Sequence, residues 1–252
     1  MPVRVKAALV HLAICCAIAA LVFLPIWLYW YPGALFGAAG GRHLFLLIVS
    51  VDVTLGPLIT LVIFNPAKKP RKQLALDLTL IGVIQLAALT YGVWVLFESR
   101  PAYIVFVKDR YELVRANAFP EGELEKAPKE YASLPLTGAR LVGFRMPADP
   151  KQAQALLESG LGGVDVQYYP RYYVPYDAVR DEVRKAALPI ATLRERHPDM
   201  KPEIDRALAS LGRSEADVRF LPLRVGKEDL SALVDAKTGD VLAWAPVDPW
   251  PG

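Results

Sequence analysis

Asp52, Gly56 and Thr60 stand four residues apart inside an otherwise apolar run, Leu44 to Phe64, so on a helix an acid, a gap and a hydroxyl share one stripe. An ionisable side chain near a bilayer centre costs at least about 2.5–3.5 kcal/mol on insertion scales, so it faces a protein neighbour or a water-filled cavity. Pro57 has no amide hydrogen to give the Val53 carbonyl, and Gly56 loosens the same turn. A later apolar run, Leu74 to Phe97, carries a comparable stripe of Gly82, Gln85, Ala88 and Gly92. Small residues let membrane helices approach closely, and a glutamine there needs a protein partner because lipid offers none. Counted from the outer ends of antiparallel neighbours, Asp52 and Gln85 fall at similar depth.

The available chemistry is hydrogen bonding in a low dielectric, and Asp52, Gly56, Pro57, Thr60, Gln85 and Gly92 are the candidate residues for intramembrane packing or partner binding. Two readings stand side by side: an internal clasp between Asp52 and Gln85, or a seam that receives a polar transmembrane helix from another protein. An ion or proton pathway is the weakest reading, because three spans provide little wall. His11 and His43 lie near span ends and are expected to be solvated or interfacial. Cys15 and Cys16 are expected to fill packing space.

The elements that must carry these residues follow from hydropathy. The chain is 54% hydrophobic, with the apolar excess before residue 100. Ala7 to Trp30, Leu44 to Phe64 and Leu74 to Phe97 are each long enough to cross a hydrocarbon core of about 30 Å. Residues 1–99 therefore form a three-helix transmembrane region, and residues 100–252 a separate α+β domain. Arg4 and Lys6 precede the first span, and Lys68, Lys69, Arg71 and Lys72 fill the second loop. Basic residues are retained on the cytoplasmic side, which places the N-terminus and the second loop inside and residues 100–252 on the outer side of the membrane. Trp27, Tyr29, Trp30 and Tyr31 at the outer end of the first span agree with that orientation. A cleavable signal peptide ending near Gly37-Ala38-Ala39-Gly40 is the rival for the first span, but the apolar core is too long for one.

The formal charge of +3 divides into +5 for residues 1–100 and −2 for residues 101–252. The basic excess is thus a topology signal with membrane lipid as its partner, and no nucleic-acid footprint exists. Both cysteines lie in the first span, so the outer domain is built without disulfides.

In that domain Tyr103 to Val107 and Tyr111 to Ala116 alternate around Lys108-Asp109-Arg110, which predicts a hairpin. Residues 117–138 read as an irregular connection, and Leu141 to Phe144 as a further strand. Asp149-Pro150 supplies an N-cap and first-turn proline for a helix through about Glu158, ended by Gly160, Gly162 and Gly163. Asp177 to Ala187 and Pro202 to Leu211 have helical spacing, the second closing at Gly212. Val218 to Val225, Leu230 to Asp235 and Val241 to Ala245 alternate as strands, with Lys237-Thr238-Gly239 as a tight turn. Terminal strands are expected to pair with initial ones in one sheet.

Tyr168, Tyr169, Arg171, Tyr172 and Tyr173 are candidates for an exposed protein-binding edge of the outer domain, because tyrosine and arginine dominate protein-binding hot spots. The alternative is an ordinary half-buried strand and loop, and Pro170 and Pro175 bar the segment from a central strand. Catalytic signatures are missing: His197 is the domain's sole histidine and precedes Pro198, and no nucleophile elbow, phosphate loop or Cys/His metal spacing occurs. The residues imply a binder, with no catalytic residue, no metal and no cofactor.

The segment Val51-Asp52-Val53-Thr54-Leu55-Gly56-Pro57-Leu58-Ile59-Thr60-Leu61, followed by Phe64-Asn65-Pro66 and Lys68-Lys69, resembles the TfpX/TfpZ family of type IV pilin accessory proteins. The likeness extends to Asp77, Gln85-Leu86-Ala87-Ala88-Leu89, Tyr91-Gly92, Arg100-Pro101-Ala102-Tyr103, Val105-Phe106 and Asp109-Arg110, covering roughly residues 5–115. It implies a non-enzymatic inner-membrane chaperone or assembly factor that supports a cognate major pilin. A membrane-anchored envelope sensor or regulator, signalling to a cytoplasmic partner, is the competing expectation.

Overall fold

The computed structural model describes residues 1–226 and 228–251, which divide into two compact units. The first comprises Met1–Tyr29 and Gly40–Glu98, and the second Trp30–Ala39 and Ser99–Gly252.

The first unit holds three helices long and apolar enough to cross a membrane. Helix α1 (Val3–Pro25) widens into a π turn over Ile26–Trp30, next to a proline that withdraws one donor from the ladder. After a short helix α2 (Leu35–Ala38), the second long helix α3 (Gly41–Ile63) carries Pro57 inside it, and the third is α4 (Arg71–Glu98). The long helices start three or four residues before the apolar runs, because Arg4, Lys6, Arg71 and Lys72 are themselves good helix formers. Pro66 disfavours helix at Asn65, so α3 ends at Ile63 and the chain turns before α4. In that connection the Lys69 Nζ lies 2.6 Å from the Asp77 carboxylate. Helix α3 is the central member and packs on both α1 and α4.

The second unit is built on one mixed sheet. Strands β1 (Pro101–Val107) and β2 (Arg110–Arg115) form the expected hairpin, with Lys108 at φ 59° in the turn. Strand β3 (Arg140–Phe144) runs parallel to β1, and helix α5 (Pro150–Leu161) follows, its Asp149 cap accepting the Lys151 amide at 3.0 Å. The edge strand β4 (Tyr173–Pro175) pairs with β3, consistent with its flanking prolines. Helix α6 (Arg180–Ala186), the two-residue β5 (Leu188–Pro189), α7 (Ile190–Arg196) and α8 (Lys201–Leu211) lead to β6 (Val218–Arg224), β7 (Leu230–Asp235) and β8 (Val241–Ala245). Helix α8 closes at Gly212, left-handed at φ 60°.

The sheet order is β4-β3-β1-β2-β6-β7-β8, with β5 on β6. The initial and terminal strands join through β2 and β6, which pair in parallel at Tyr111 with Leu223 and Glu112 with Arg224. On the C-terminal side Ile190, Leu193, Ile204 and Leu208 of the helices bury against Val218, Phe220 and Leu233. On the N-terminal side Tyr103, Val105, Val114 and Val142 pack with Tyr131 and Tyr173.

Candidate functional site

The polar stripe of α3 faces α1 as well as α4, and a histidine ties the three helices together. His11 on α1 places Nδ1 2.6 Å from the Thr60 hydroxyl and Nε2 2.9 Å from Gln85 Oε1. Gln85 on α4 donates from Nε2 to the Asp52 backbone carbonyl at 3.0 Å and to Cys15 Sγ at 3.6 Å. Since the Gln85 oxygen can only accept, the imidazole donates from Nε2, and Nδ1 shares the remaining bond with Thr60. Gly56 makes this possible: a Cβ there would lie 2.2 Å from Gln85 Nε2.

Asp52 and Gln85 therefore meet, but through the Asp52 main chain and not its carboxyl. Among the described residues the carboxylate oxygen Oδ1 is sheltered from solvent and has no hydrogen-bond partner. Other atoms of Asp52 border a partly open cavity of about 170 Å³, together with His11, Cys15, Gly82, Gln85 and Leu86. The structure thus gathers Asp52, Gly56, Thr60 and Gln85 at one place. Pro57 is buried in α3 without ending it, and Gly92 lies apart, where a Cβ would come within 2.7 Å of the Ile48 side chain.

Sequence reasoning missed His11, which was expected at an interface and instead is the hub of the network. The apolar run begins at Ala7, only four residues before His11, whereas the helix begins at Val3 and His11 lies two turns inside it. The argument applied to Asp52, that lipid leaves a polar side chain unsatisfied, would have found it. His43, by contrast, is exposed.

In the second unit the tyrosine segment turns largely inward. Tyr169 and Tyr173 are buried, and Tyr168 and Tyr172 are half-buried. Tyr173 donates to the Gln167 carbonyl and packs edge-on against Tyr103 and Tyr131. Arg171 stacks over the rings of Tyr169 and Tyr172 and lies 3.1 Å from the buried Glu123 carboxylate. These residues hold β4 to the domain, leaving only parts of Tyr168, Arg171 and Tyr172 at the surface. No group of His, Cys, Asp and Glu among the described residues could hold a metal ion.

At the β2–β6 joint, burial pushes the Glu112 carboxyl up to about 7; Arg224 and Arg110 draw it back, while Asp165 and Asp229 add to the rise. Arg224, 3.7 Å away, has an exposed side chain and offsets burial only in part. Nearby, Tyr111 and Tyr176 share a hydroxyl contact at 2.7 Å, and Tyr176 donates to the Gly239 carbonyl at 2.5 Å.

No family model matches the chain, and no solved structure matches it. Curated relatives do. A fimbrial assembly protein of serogroup I from Dichelobacter nodosus is 30% identical over 215 residues, 85% of this chain and 83% of the relative. Its serogroup E1 counterpart is 29% identical over 216 residues, 85% of this chain and 82% of the relative. The protein of serogroups C1 and C2 is 34% identical over 118 residues, which is 47% of this chain and 89% of that one. With 30% identity across more than four-fifths of both sequences, this three-span protein belongs to the family of fimbrial assembly proteins.

Proposed function

We propose that the protein is a type IV pilin accessory factor of the kind its TfpX/TfpZ-like segment suggests: a non-enzymatic membrane chaperone that holds a cognate major pilin for assembly. The observation that carries this reading is the relationship to fimbrial assembly proteins over 85% of the chain. The basic residues Arg4, Lys6, Lys68, Lys69, Arg71 and Lys72 support an inner-membrane topology with the N-terminus in the cytoplasm and the second unit in the periplasm. A bundle whose interior is polar yet incompletely satisfied suits a protein that works on another membrane helix.

Deletion of the gene and immunoblotting of the fimbrial subunit test the reading, alongside counts of surface fimbriae and co-purification of the subunit with the detergent-solubilised protein. A several-fold loss of subunit or fimbriae, restored by the intact gene, is expected together with co-purification. Unchanged fimbriae and no co-purified subunit would overturn the proposal.

A further inference from the structure

We infer that an apolar cleft at the start of α1, bordered also by the end of α3 and by α4, holds one acyl chain of an anionic membrane phospholipid, with the phosphate of that lipid on Lys6. The inference goes beyond the proposed assembly role and rests on the three membrane-spanning helices alone.

Lys6, Val10 and Ile14 stand four residues apart on α1, so they share one stripe, and that stripe lines the cleft. Phe64, which caps α3, and Leu78 of α4 border it as well. From Lys6 to Ile14 the cleft follows α1 for about 12 Å, close to the roughly 15 Å of hydrocarbon in one leaflet. Its volume of about 510 Å³ is several times the roughly 150 Å³ that takes a benzene-sized group, so it suits an extended chain and not a single side chain.

The lining selects the occupant. Water gains little there, because His11 and Thr60, the polar side chains beyond Lys6, bond to each other at 2.6 Å and the other walls are apolar. Lys6 itself is exposed, and among the described residues no carboxylate pairs with it. Asp77 is held by Lys69 at 2.6 Å, Asp52 lies in the middle of α3, and Glu98 ends α4. A cation without a carboxylate partner, at the interfacial end of an apolar cleft, complements a molecule with an anionic head and a hydrocarbon tail. The bilayer supplies that molecule, and anionic headgroups attract a basic residue at the surface by about 1 kcal/mol.

The experiment adds palmitoyl-oleoyl phosphatidylglycerol or palmitoyl-oleoyl phosphatidylcholine to the detergent-solubilised full chain and follows bound lipid by native mass spectrometry. The first phosphatidylglycerol is expected to bind about fivefold more tightly than phosphatidylcholine, the ratio that one basic residue at an anionic head supplies. Lys6→Gln should remove that preference. Arg4→Gln is the control: Arg4 sits about 200° around α1 from Lys6 and is not among the residues bordering the cleft, so the preference should survive. Val10→Trp places an indole in the cleft and should weaken both lipids several-fold; Val10 is 61% exposed, so the bundle accommodates the change. Equal loss from Arg4→Gln and Lys6→Gln would reduce the effect to general surface charge, and lipid binding untouched by Val10→Trp would place the chain elsewhere. Either result overturns the inference and leaves the assembly role standing.

Discussion

At the scale of single residues, the membrane region depends on side chains that satisfy one another across helices. Gln85 uses its oxygen for His11 and its nitrogen for Asp52 and Cys15, so removing either His11 or Gln85 strands part of the other. Hydrogen bonds between membrane helices average about 0.6 kcal/mol and reach about 1.7. A double-mutant cycle with His11→Ala and Gln85→Leu, read by unfolding in lipid or detergent, should give a coupling energy in that range. Strict additivity would show that the imidazole contact does not stabilise the bundle. Asp52, Gly56, Thr60 and Gln85 were legible in the sequence because a polar or small residue stands out against lipid-facing neighbours. That Gln85 would choose the Asp52 carbonyl over its carboxyl was not legible, since spacing fixes depth and face but not which atom of a residue is met.

At the scale of elements, the sheet is joined across its middle by the short parallel pairing of β2 with β6, and Glu112 sits at that joint. Buried there, the carboxyl keeps its proton up to about pH 7, whereas an unfolded glutamate releases it near 4.5. The native state thus binds the extra proton between those values. Its stabilising contribution is complete below pH 4.5 and is lost as pH rises through 7, on the order of 3 kcal/mol. The melting temperature of the second unit should therefore fall between pH 5 and 8, and Glu112→Gln should flatten the fall. A slope that survives the substitution would assign the effect elsewhere. The hairpin, the Asp149-capped helix and the Gly212 stop could all be read locally, because turn residues and caps act within a few positions. The β2–β6 partnership joins residues more than 100 positions apart, so nothing local specifies its register. Helix α7, only seven residues long and bounded by Pro189 and His197, carries too little periodicity to announce itself.

At the scale of the whole molecule, hydropathy marks the three long apolar helices off from the mixed region, but it does not reveal that Trp30–Ala39 belongs to the second unit. Its glycines and alanines look like a plain connection, and the same residues invited comparison with a cleavage site. In the fold, Leu35, Ala38 and Ala39 are buried, Tyr31 shares a hydrogen bond with Ser99 at 3.1 Å, and Arg115 donates to the Ala39 carbonyl at 3.2 Å. Leu35→Ala should cost about 2–5 kcal/mol, as other buried leucine truncations do. Hydrogen exchange over residues 99–116 in the intact protein should quicken accordingly, and unchanged protection would detach the loop from the body. Because one piece of this body precedes α3 and the rest follows α4, its parts are made at different times. Residues 30–39 emerge first and wait while two more helices are synthesised and inserted. The body closes only when the final segment arrives on the same side of the membrane, so its completion reports that every span has been threaded in the right direction. A chain inserted with one helix missing would leave Leu35 and its neighbours uncovered.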